Sequence, residues 1–196
     1  MRLKPTGSYF SVVGITPIAC ANSIASYLMD DRHVPIGDIF FVTSWDERAE
    51  PSSTSQQYVK EVIDLLTKNL EHMHSDGLDD ITFHPDDIVW IPEENLSLGV
   101  KCITEGIFHK TARNERIIID TTAGRKTMAS SAVLAGYILN NRYERKVTLS
   151  YYWLRRFSPE IMGKPVYELD SDDAEIVLTD INDLNEMITK IRNQYE

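Results

Sequence analysis

The residues best suited to chemistry lie within residues 117–128, where an apolar strand leads through a short turn into a helix. Gly124 would let a ligand come close to the backbone, because glycine has no side chain in the way. Arg125 and Lys126 follow at once and offer a planar guanidinium and a mobile ammonium group. Free N–H groups at the start of a helix also attract anions. The pattern predicts a phosphate site made of Thr122, Ala123, Gly124, Arg125, Lys126, Thr127 and Met128. The alternative is an ordinary strand–turn–helix whose basic pair is solvated.

This turn differs from both common phosphate-binding motifs. A Walker loop places glycine directly before the lysine, whereas Arg125 separates Gly124 from Lys126 here. The three-glycine fingerprint of dinucleotide-binding proteins is missing too, so nicotinamide dinucleotides are not favoured. Small residues at positions 129–132 keep the first helical turns slim, which permits close packing or a ligand alongside.

Two further turns follow predicted strands and could complete the site. The first contains Gly14, Ile15, Thr16 and Pro17, and Thr16 could donate to a phosphate or hold a ribose. A plain turn in which Pro17 starts the helix is an equal alternative. The second contains Ser44 and Trp45 and runs on to Arg48; Trp45 could stack on a base. A loop anchored by a half-buried tryptophan is the alternative there.

The remaining reactive residues do not form a recognisable catalytic or metal-binding pattern. The five histidines pair with no serine or cysteine in a triad, and His72 and His74 lie two residues apart, the wrong spacing for one helical face. We expect all five to be surface or capping residues. The two cysteines, Cys20 and Cys102, suggest neither a zinc site nor a disulfide framework and favour a reducing cytoplasm. We expect no metal and no cofactor.

The elements that would position these turns alternate along the chain. Apolar runs predict strands at residues 9–15, 38–44, 88–91, 116–120 and 147–154, and helical spacing predicts helices at 19–29, 58–70, 98–108, 128–139 and 181–195. Alternation of this kind predicts an α/β, Rossmann-like fold: a mainly parallel sheet with helices on both faces. Such sheets bind ligands at the carboxyl ends of their strands, near the point where the strand order reverses. Residues 166–178 are predicted to form a hairpin.

Composition limits the classes of partner. The chain has 196 residues, 20 basic against 30 acidic, and a net charge of −10, which argues against a protein that coats long DNA or RNA. Acidic residues dominate after residue 165. Basic residues concentrate earlier, at Arg125, Lys126, Arg142, Arg145, Lys146, Arg155 and Arg156. The sequence offers no apolar run long enough for a membrane span and no pattern of a signal peptide.

Residues 9–154 resemble the CARF family, the CRISPR-associated Rossmann-like domains of type III antiviral immunity. The resemblance rests mainly on one run: Ile118, Ile119, Asp120, Thr121, Thr122, Ala123, Gly124, Arg125, Lys126, Thr127 and Met128. It is similar to the family's strand followed by Asp, a small residue, Thr, two glycines, Arg or Thr, Lys, any residue and Met. Ala123 stands where the first glycine is common. The turn at residues 14–17 is similar to the family's first ligand loop.

The resemblance implies a domain at residues 1–165 that senses cyclic oligoadenylate, with cyclic tetra-adenylate as the expected ring, and an acidic extension at 166–196. It also implies a symmetric homodimer in a prokaryotic cytoplasm, with the ligand across the two-fold axis. Gly124, Arg125, Lys126 and Thr127 would contact phosphate and ribose, with Thr16 opposite. Family members usually carry an effector, and the sequence shows no RNase, DNase or winged-helix signature.

Two other functions stay open at this stage. One is a metal-independent ring nuclease, in which the ribose 2′-hydroxyl attacks the adjacent phosphate, Lys126 stabilises the developing charge and Thr16 positions the ring. The other is a metabolic nucleotide-binding Rossmann protein, because one fold hosts many functions.

Overall fold

A computed structural model describes residues 7–30, 33–45, 54–72, 80–92, 94–156 and 158–195. Strands and helices alternate along it as the sequence predicts. The strands are β1 (Gly7–Val12), β2 (Ile36–Trp45), β3 (Thr82–Pro92), β4 (Arg116–Asp120), β5 (Lys146–Leu154) and β6 (Ala174–Asp180). The helices are α1 (Pro17–Met29), α2 (Thr54–His72), α3 (Leu96–Lys110), α4 (Lys126–Tyr143), α5 (Pro159–Met162) and α6 (Ile181–Tyr195). No helix in the described ranges is long and apolar enough to cross a membrane.

The six strands form one sheet in the order β3-β2-β1-β4-β5-β6. Strands β1 to β5 pair in parallel, and β6 pairs antiparallel with β5. The predicted α/β, Rossmann-like fold is therefore confirmed. The predicted hairpin is wrong: Val166–Glu168 forms a 3₁₀ turn, and β6 pairs with the free edge of β5 rather than with its own neighbours. Strand β5 supplies β6 with the backbone hydrogen bonds that a hairpin within residues 166–178 would have provided.

The sheet separates two apolar cores. Successive side chains of a strand point to opposite faces, so Tyr9 packs in the core beneath α1 and α2 while Phe10 packs in the core beneath α3, α4 and α6. All six residues of β1 are buried, as expected for a central parallel strand covered on both sides. Both faces of the sheet are thus closed, and its carboxyl edge stays accessible to a ligand.

The strand order reverses between β1 and β4, which makes this pair the topological switch point. The chain leaves β1 towards α1 on one face and leaves β4 towards α4 on the other. The diverging connections open a crevice at the carboxyl ends of the two strands, the usual ligand position in such sheets.

Close helix packing explains the small residues at the start of α4. A Cβ added to Gly99 of α3 would lie 2.7 Å from the Ser131 hydroxyl oxygen of α4, so the two helices approach closely at this point. Ser131 Oγ donates to the Leu96 carbonyl at 3.4 Å. The slim stretch therefore packs against α3, one of the two uses that the sequence permitted.

Arg145, two residues after the end of α4, holds the end of α4 to the end of α3. Glu144 ends α4 in the left-handed conformation at φ 55°, and the Arg145 side chain is buried. The Arg145 guanidinium donates to the Thr111 carbonyl at 2.7 Å and to the Thr111 hydroxyl, and it lies over the Phe108 ring. Although it belongs to the predicted basic group, Arg145 is a structural residue.

Arg145→Ala should lower the free energy of unfolding by about 1.5 to 3 kcal/mol, because hydrogen bonds from a charged donor are lost and the Thr111 carbonyl is left buried without them. Urea denaturation measures the loss. Arg142→Ala is the matched control, since Arg142 is exposed on the last turn of α4. It should change stability by no more than about 0.5 kcal/mol. Equal losses from the two variants would contradict the structural role.

Candidate functional site

The two predicted ligand turns touch each other at the switch point. A Cβ added to Gly14 would lie 1.9 Å from the Ala123 carbonyl oxygen, so only glycine leaves room for the second turn. Gly124 is also confined, though less tightly, because its added Cβ would lie 2.7 Å from Val12 Cγ1. The first turn is fixed from its other side, where Val13 N–H donates to the Val42 carbonyl at 2.8 Å. The turns at residues 14–17 and 122–127 therefore form one site, which we call the switch-point site.

Two helices begin at this site. Helix α1 starts at Pro17 and α4 at Lys126; their N-cap residues, Thr16 and Arg125, make no side-chain capping hydrogen bond. The first-turn N–H groups of α4 lie beside the exposed side chains of Arg125 and Lys126. Helix N-termini and cations together favour an anionic ligand.

The other residues of the predicted site differ in how far their side chains are exposed to solvent. Ile15 is 61% exposed and Thr127 is half-buried. Met128 is only 1% exposed because its side chain packs in the core beneath α3 and α4. Met128 can therefore offer a ligand its backbone but not its side chain.

A buried polar network forms the floor of the site. The carboxylate of Asp120, the last residue of β4, is fully buried and accepts from Ser11 Oγ at 3.2 Å and from Thr122 N at 3.0 Å. The Thr122 hydroxyl donates to the same carboxylate at 2.5 Å and accepts from Tyr152 N at 2.8 Å. Thr122, predicted to contact ligand, thus directs its hydroxyl into the protein.

Burial dominates the ionisation of this network. Desolvation raises the pKa of Asp120 above its ordinary value, and the hydrogen bonds from Thr122, Ser23 and Ser11 act in the opposite direction. Burial, with the Asp120 charge as the second cause, raises the pKa of Cys20 to about 12. Cys20 therefore remains a neutral thiol at neutral pH and offers no nucleophile to the site.

A cleft of about 390 Å³ opens beside the two turns. Residues of the two turns, of α1, of the end of β5 and of helix α5 line it. Its lining residues are Thr16, Ala19, Asn22, Thr122, Ala123, Tyr151, Tyr152, Trp153, Leu154, Ile161 and Met162. This volume lies within the range of small-molecule pockets, and the lining is mostly apolar with a few polar groups, as in such pockets.

The aromatic residues of the cleft were missed by sequence reasoning. Tyr151 and Trp153 are both 48% exposed and stand near the carboxyl end of β5. The sequence signal was partial: any parallel strand of the predicted sheet must end at the same edge as the predicted site, but the pattern does not show which of its side chains line a cleft. Trp45, which was predicted to stack on a base, is half-buried, pairs in register with Pro92 and does not line this cleft. Residues 46–48 lie outside the described ranges.

Asn22 holds the outer wall of the cleft in place. Its side-chain amide donates to the Lys164 carbonyl at 2.9 Å, and its oxygen accepts from Val166 N at 2.9 Å and from Asn69 Nδ2 at 3.1 Å. A single buried side chain on α1 therefore ties α2 and the segment after α5 to the same helix.

Three basic residues outside the two turns contact other groups of the protein. Arg155 pairs with Glu175 of β6, and Arg156 lies 3.5 Å from Asp173. Arg145 is buried, as described above. Arg125 and Lys126 are thus the exposed basic residues of the switch-point site itself.

Two histidines are less exposed than predicted. His33 lies 3.3 Å from Asp30 and stacks on Tyr27; His84 bonds Asp38 at 2.7 Å and stacks on Phe40. Both are half-buried because a stacked ring covers one face of the imidazole. Among the residues that the structure describes, no group of three acidic, histidine or cysteine side chains could hold a metal ion.

Gly14→Ala should destabilise the protein by about 1 to 3 kcal/mol, because the added methyl group overlaps the Ala123 carbonyl and the turns must separate. Thermal unfolding measures the loss, and amide NMR shifts should change at residues 121–125. Gly163→Ala is the control, since nothing lies within 4 Å of its added Cβ. A Gly14→Ala variant as stable as the Gly163→Ala variant would show that the turns do not touch.

The chain matches no protein-family model and no curated protein sequence. It is similar to the solved structure of protein VC1899 from Vibrio cholerae, with 16% identity and a TM-score of 0.46 over 74% of this chain and 30% of that one. It is also similar to Can2 from Sulfobacillus thermosulfidooxidans in complex with cyclic tetra-adenylate, with 10% identity and a TM-score of 0.43 over 74% and 32%. The chain spans about a third of each. Neither likeness is close enough to bear on function, and the fold rests on this chain's own topology.

Proposed function

We propose that the chain is a cyclic oligoadenylate sensor of the CARF type in type III CRISPR signalling, with cyclic tetra-adenylate as its ligand. One observation carries the proposal: the turn after β1 and the turn after β4 meet at the switch point, where Gly14 contacts the Ala123 carbonyl. The residues of the second turn are those that resemble the CARF motif. The turn that carries the resemblance therefore lies at the edge of the sheet where a ligand is expected.

The chemistry of the site fits a ring of nucleotides joined by phosphates. Arg125 and Lys126, with the N–H groups at the start of α4, supply the positive side that a phosphate requires. Thr16 borders the cleft, within reach of a ribose or phosphate placed there. The exposed rings of Tyr151 and Trp153 offer surfaces on which a base can stack. The site is less suited to a nicotinamide dinucleotide, because the three-glycine loop that binds such cofactors is missing.

The proposed assembly is a homodimer with one ring on its two-fold axis. A two-fold ligand on a two-fold dimer receives the same groups from each half. Large exposed apolar side chains are present on α4 and α6 and could be buried by a second copy: Leu134, Tyr137, Met187, Ile188 and Ile191. The proposed setting is the cytoplasm of a prokaryote, where the sensor would regulate an effector.

Lys126→Ala should weaken binding of cyclic tetra-adenylate by about tenfold to a hundredfold for each lost charge-assisted contact, and a dimer loses two. Lys146→Ala is the matched control, because Lys146 is an exposed lysine at the opposite edge of the sheet, where β5 begins. Calorimetry measures both affinities, and circular dichroism checks both folds. Parent-like affinity in a folded Lys126→Ala variant would place the ligand elsewhere.

Incubating the parent and Lys126→Ala with cyclic tetra-adenylate and following the products separates sensing from cleavage. Linear products that disappear in Lys126→Ala at saturating ligand would assign ring-nuclease activity to the site. An intact ring identifies a pure sensor. Affinity for ATP equal to that for the cyclic ligand would favour the metabolic alternative and contradict the proposal.

The dimer predicts a stoichiometry of one ring per two chains, because each protomer supplies half of the contacts. Light scattering should give twice the protomer mass of 22.4 kDa, and calorimetric titration should end at half a molar equivalent of ligand. A mass of one protomer with and without ligand, at micromolar concentrations, would contradict it.

A further inference from the structure

We infer that Asp120 is a positioning residue: acting through Thr122, its buried carboxylate fixes the turn after β4 and thereby sets the affinity of the switch-point site for its ligand. The inference rests on the proposed function for its statement about affinity. Asp120 itself does not reach the ligand, since the carboxylate is fully buried beneath the turn.

The carboxylate holds the turn by two bonds to one residue. Asp120 Oδ1 accepts from both the backbone N–H and the hydroxyl of Thr122, at 3.0 and 2.5 Å. These bonds fix Thr122, and the next residue, Ala123, carries the carbonyl that contacts Gly14. The position of Thr122 therefore determines how the two ligand turns fit together.

The same network ties the turn to three other elements. Asp120 Oδ2 accepts from Ser11 of β1 at 3.2 Å. The Thr122 hydroxyl lies 3.2 Å from the Ser23 hydroxyl of α1 and accepts from the Tyr152 N–H of β5 at 2.8 Å. Since Tyr152 and Thr122 both line the cleft, the network joins the turn after β4 to the wall of the cleft.

A buried carboxylate is an expensive way to hold a turn, which points to a role beyond stability. Burying a charge costs free energy unless hydrogen bonds compensate for the lost water, and here the donors come from hydroxyl and amide groups rather than from a paired cation. Burial raises the pKa of the carboxyl group. An apolar residue would fill the space, but it would leave the Thr122 amide and hydroxyl without this acceptor.

Thr122→Val and Thr122→Ser test the inference, because valine keeps the shape and removes the hydroxyl, whereas serine keeps the hydroxyl. The first measurement is hydrogen exchange of the Thr122 amide, which can still bond Asp120 in every variant. We expect exchange to speed up about tenfold in Thr122→Val and to return to within about threefold of the parent in Thr122→Ser. Thr121→Val is the matched control, since its hydroxyl contacts the Ser150 carbonyl rather than the carboxylate.

The second measurement is affinity for cyclic tetra-adenylate by calorimetry. We expect Thr122→Val to bind about tenfold more weakly, Thr122→Ser to bind within about threefold of the parent, and Thr121→Val to match the parent. Asp120→Asn should resemble Thr122→Val in both measurements where it folds. If Asp120→Asn does not fold, the two Thr122 variants decide.

The outcomes separate the inference from the proposed function. If the parent does not bind cyclic tetra-adenylate, the proposed function fails, while the exchange rates still decide whether Asp120 and Thr122 fix the turn. Parent-like exchange and binding in Thr122→Val would overturn the inference. Equal losses in Thr122→Val and Thr122→Ser would overturn it too, because the methyl packing rather than the hydroxyl would then matter.

Discussion

The arrangement of the site depends on one backbone contact, the approach of Gly14 to the carbonyl of Ala123. The chain leaves β1 and β4 towards opposite faces of the sheet, so the two connections can meet only at the strand ends. A side chain at position 14 would force them apart, and the network beneath would lose its alignment. A single hydrogen atom in place of a methyl group thus allows one site to be built from segments more than a hundred residues apart.

Below that contact, the pairing of β1 with β4 supports the second turn. β1 and β4 pair in parallel from Gly7 and Arg116 to Ser11 and Asp120, so the last pair of this ladder is also the bonded pair that supports the turn. The regular sheet delivers a serine and an aspartate to the same height at the carboxyl edge. The pairing of the strands therefore aligns Ser11 with Asp120. The hydrogen bonds of these polar side chains then fix the conformation of the turn that follows.

The sequence predicted the bounds of β4 and β5 most closely. The bounds of β4 were predicted correctly from its continuous apolar run, and the two ligand turns were placed at the edge where they meet. β3 was predicted too short, because its first half is only partly buried at the edge of the sheet and carries polar residues. Partial burial removes the apolar signal while the ladder hydrogen bonds persist.

Three features could be found only from the tertiary structure: the aromatic lining of the cleft, the direction of the Thr122 hydroxyl and the pairing of β6. Nothing local in Tyr151 and Trp153 distinguishes a strand residue that lines a cleft from one that faces solvent. The inward direction of the Thr122 hydroxyl likewise depends on Ser23 and Tyr152, whose proximity follows from the strand order. The pairing of β6 with β5 depends on an available edge, which no pattern within residues 166–178 reveals.

The ion pairs of Arg155 with Glu175 and of Arg156 with Asp173 have an electrostatic consequence. They lie just beyond Leu154, the end of the strand that lines the cleft, and they neutralise two carboxylates of the acidic segment. The Debye length is about 8 Å at physiological ionic strength, so an approaching anion responds chiefly to charges near the entrance. The net charge of −10 would repel a polyphosphate from a distance only in dilute salt. Near the cleft, the two ion pairs reduce the repulsion that Glu175 and Asp173 would otherwise exert on an anion.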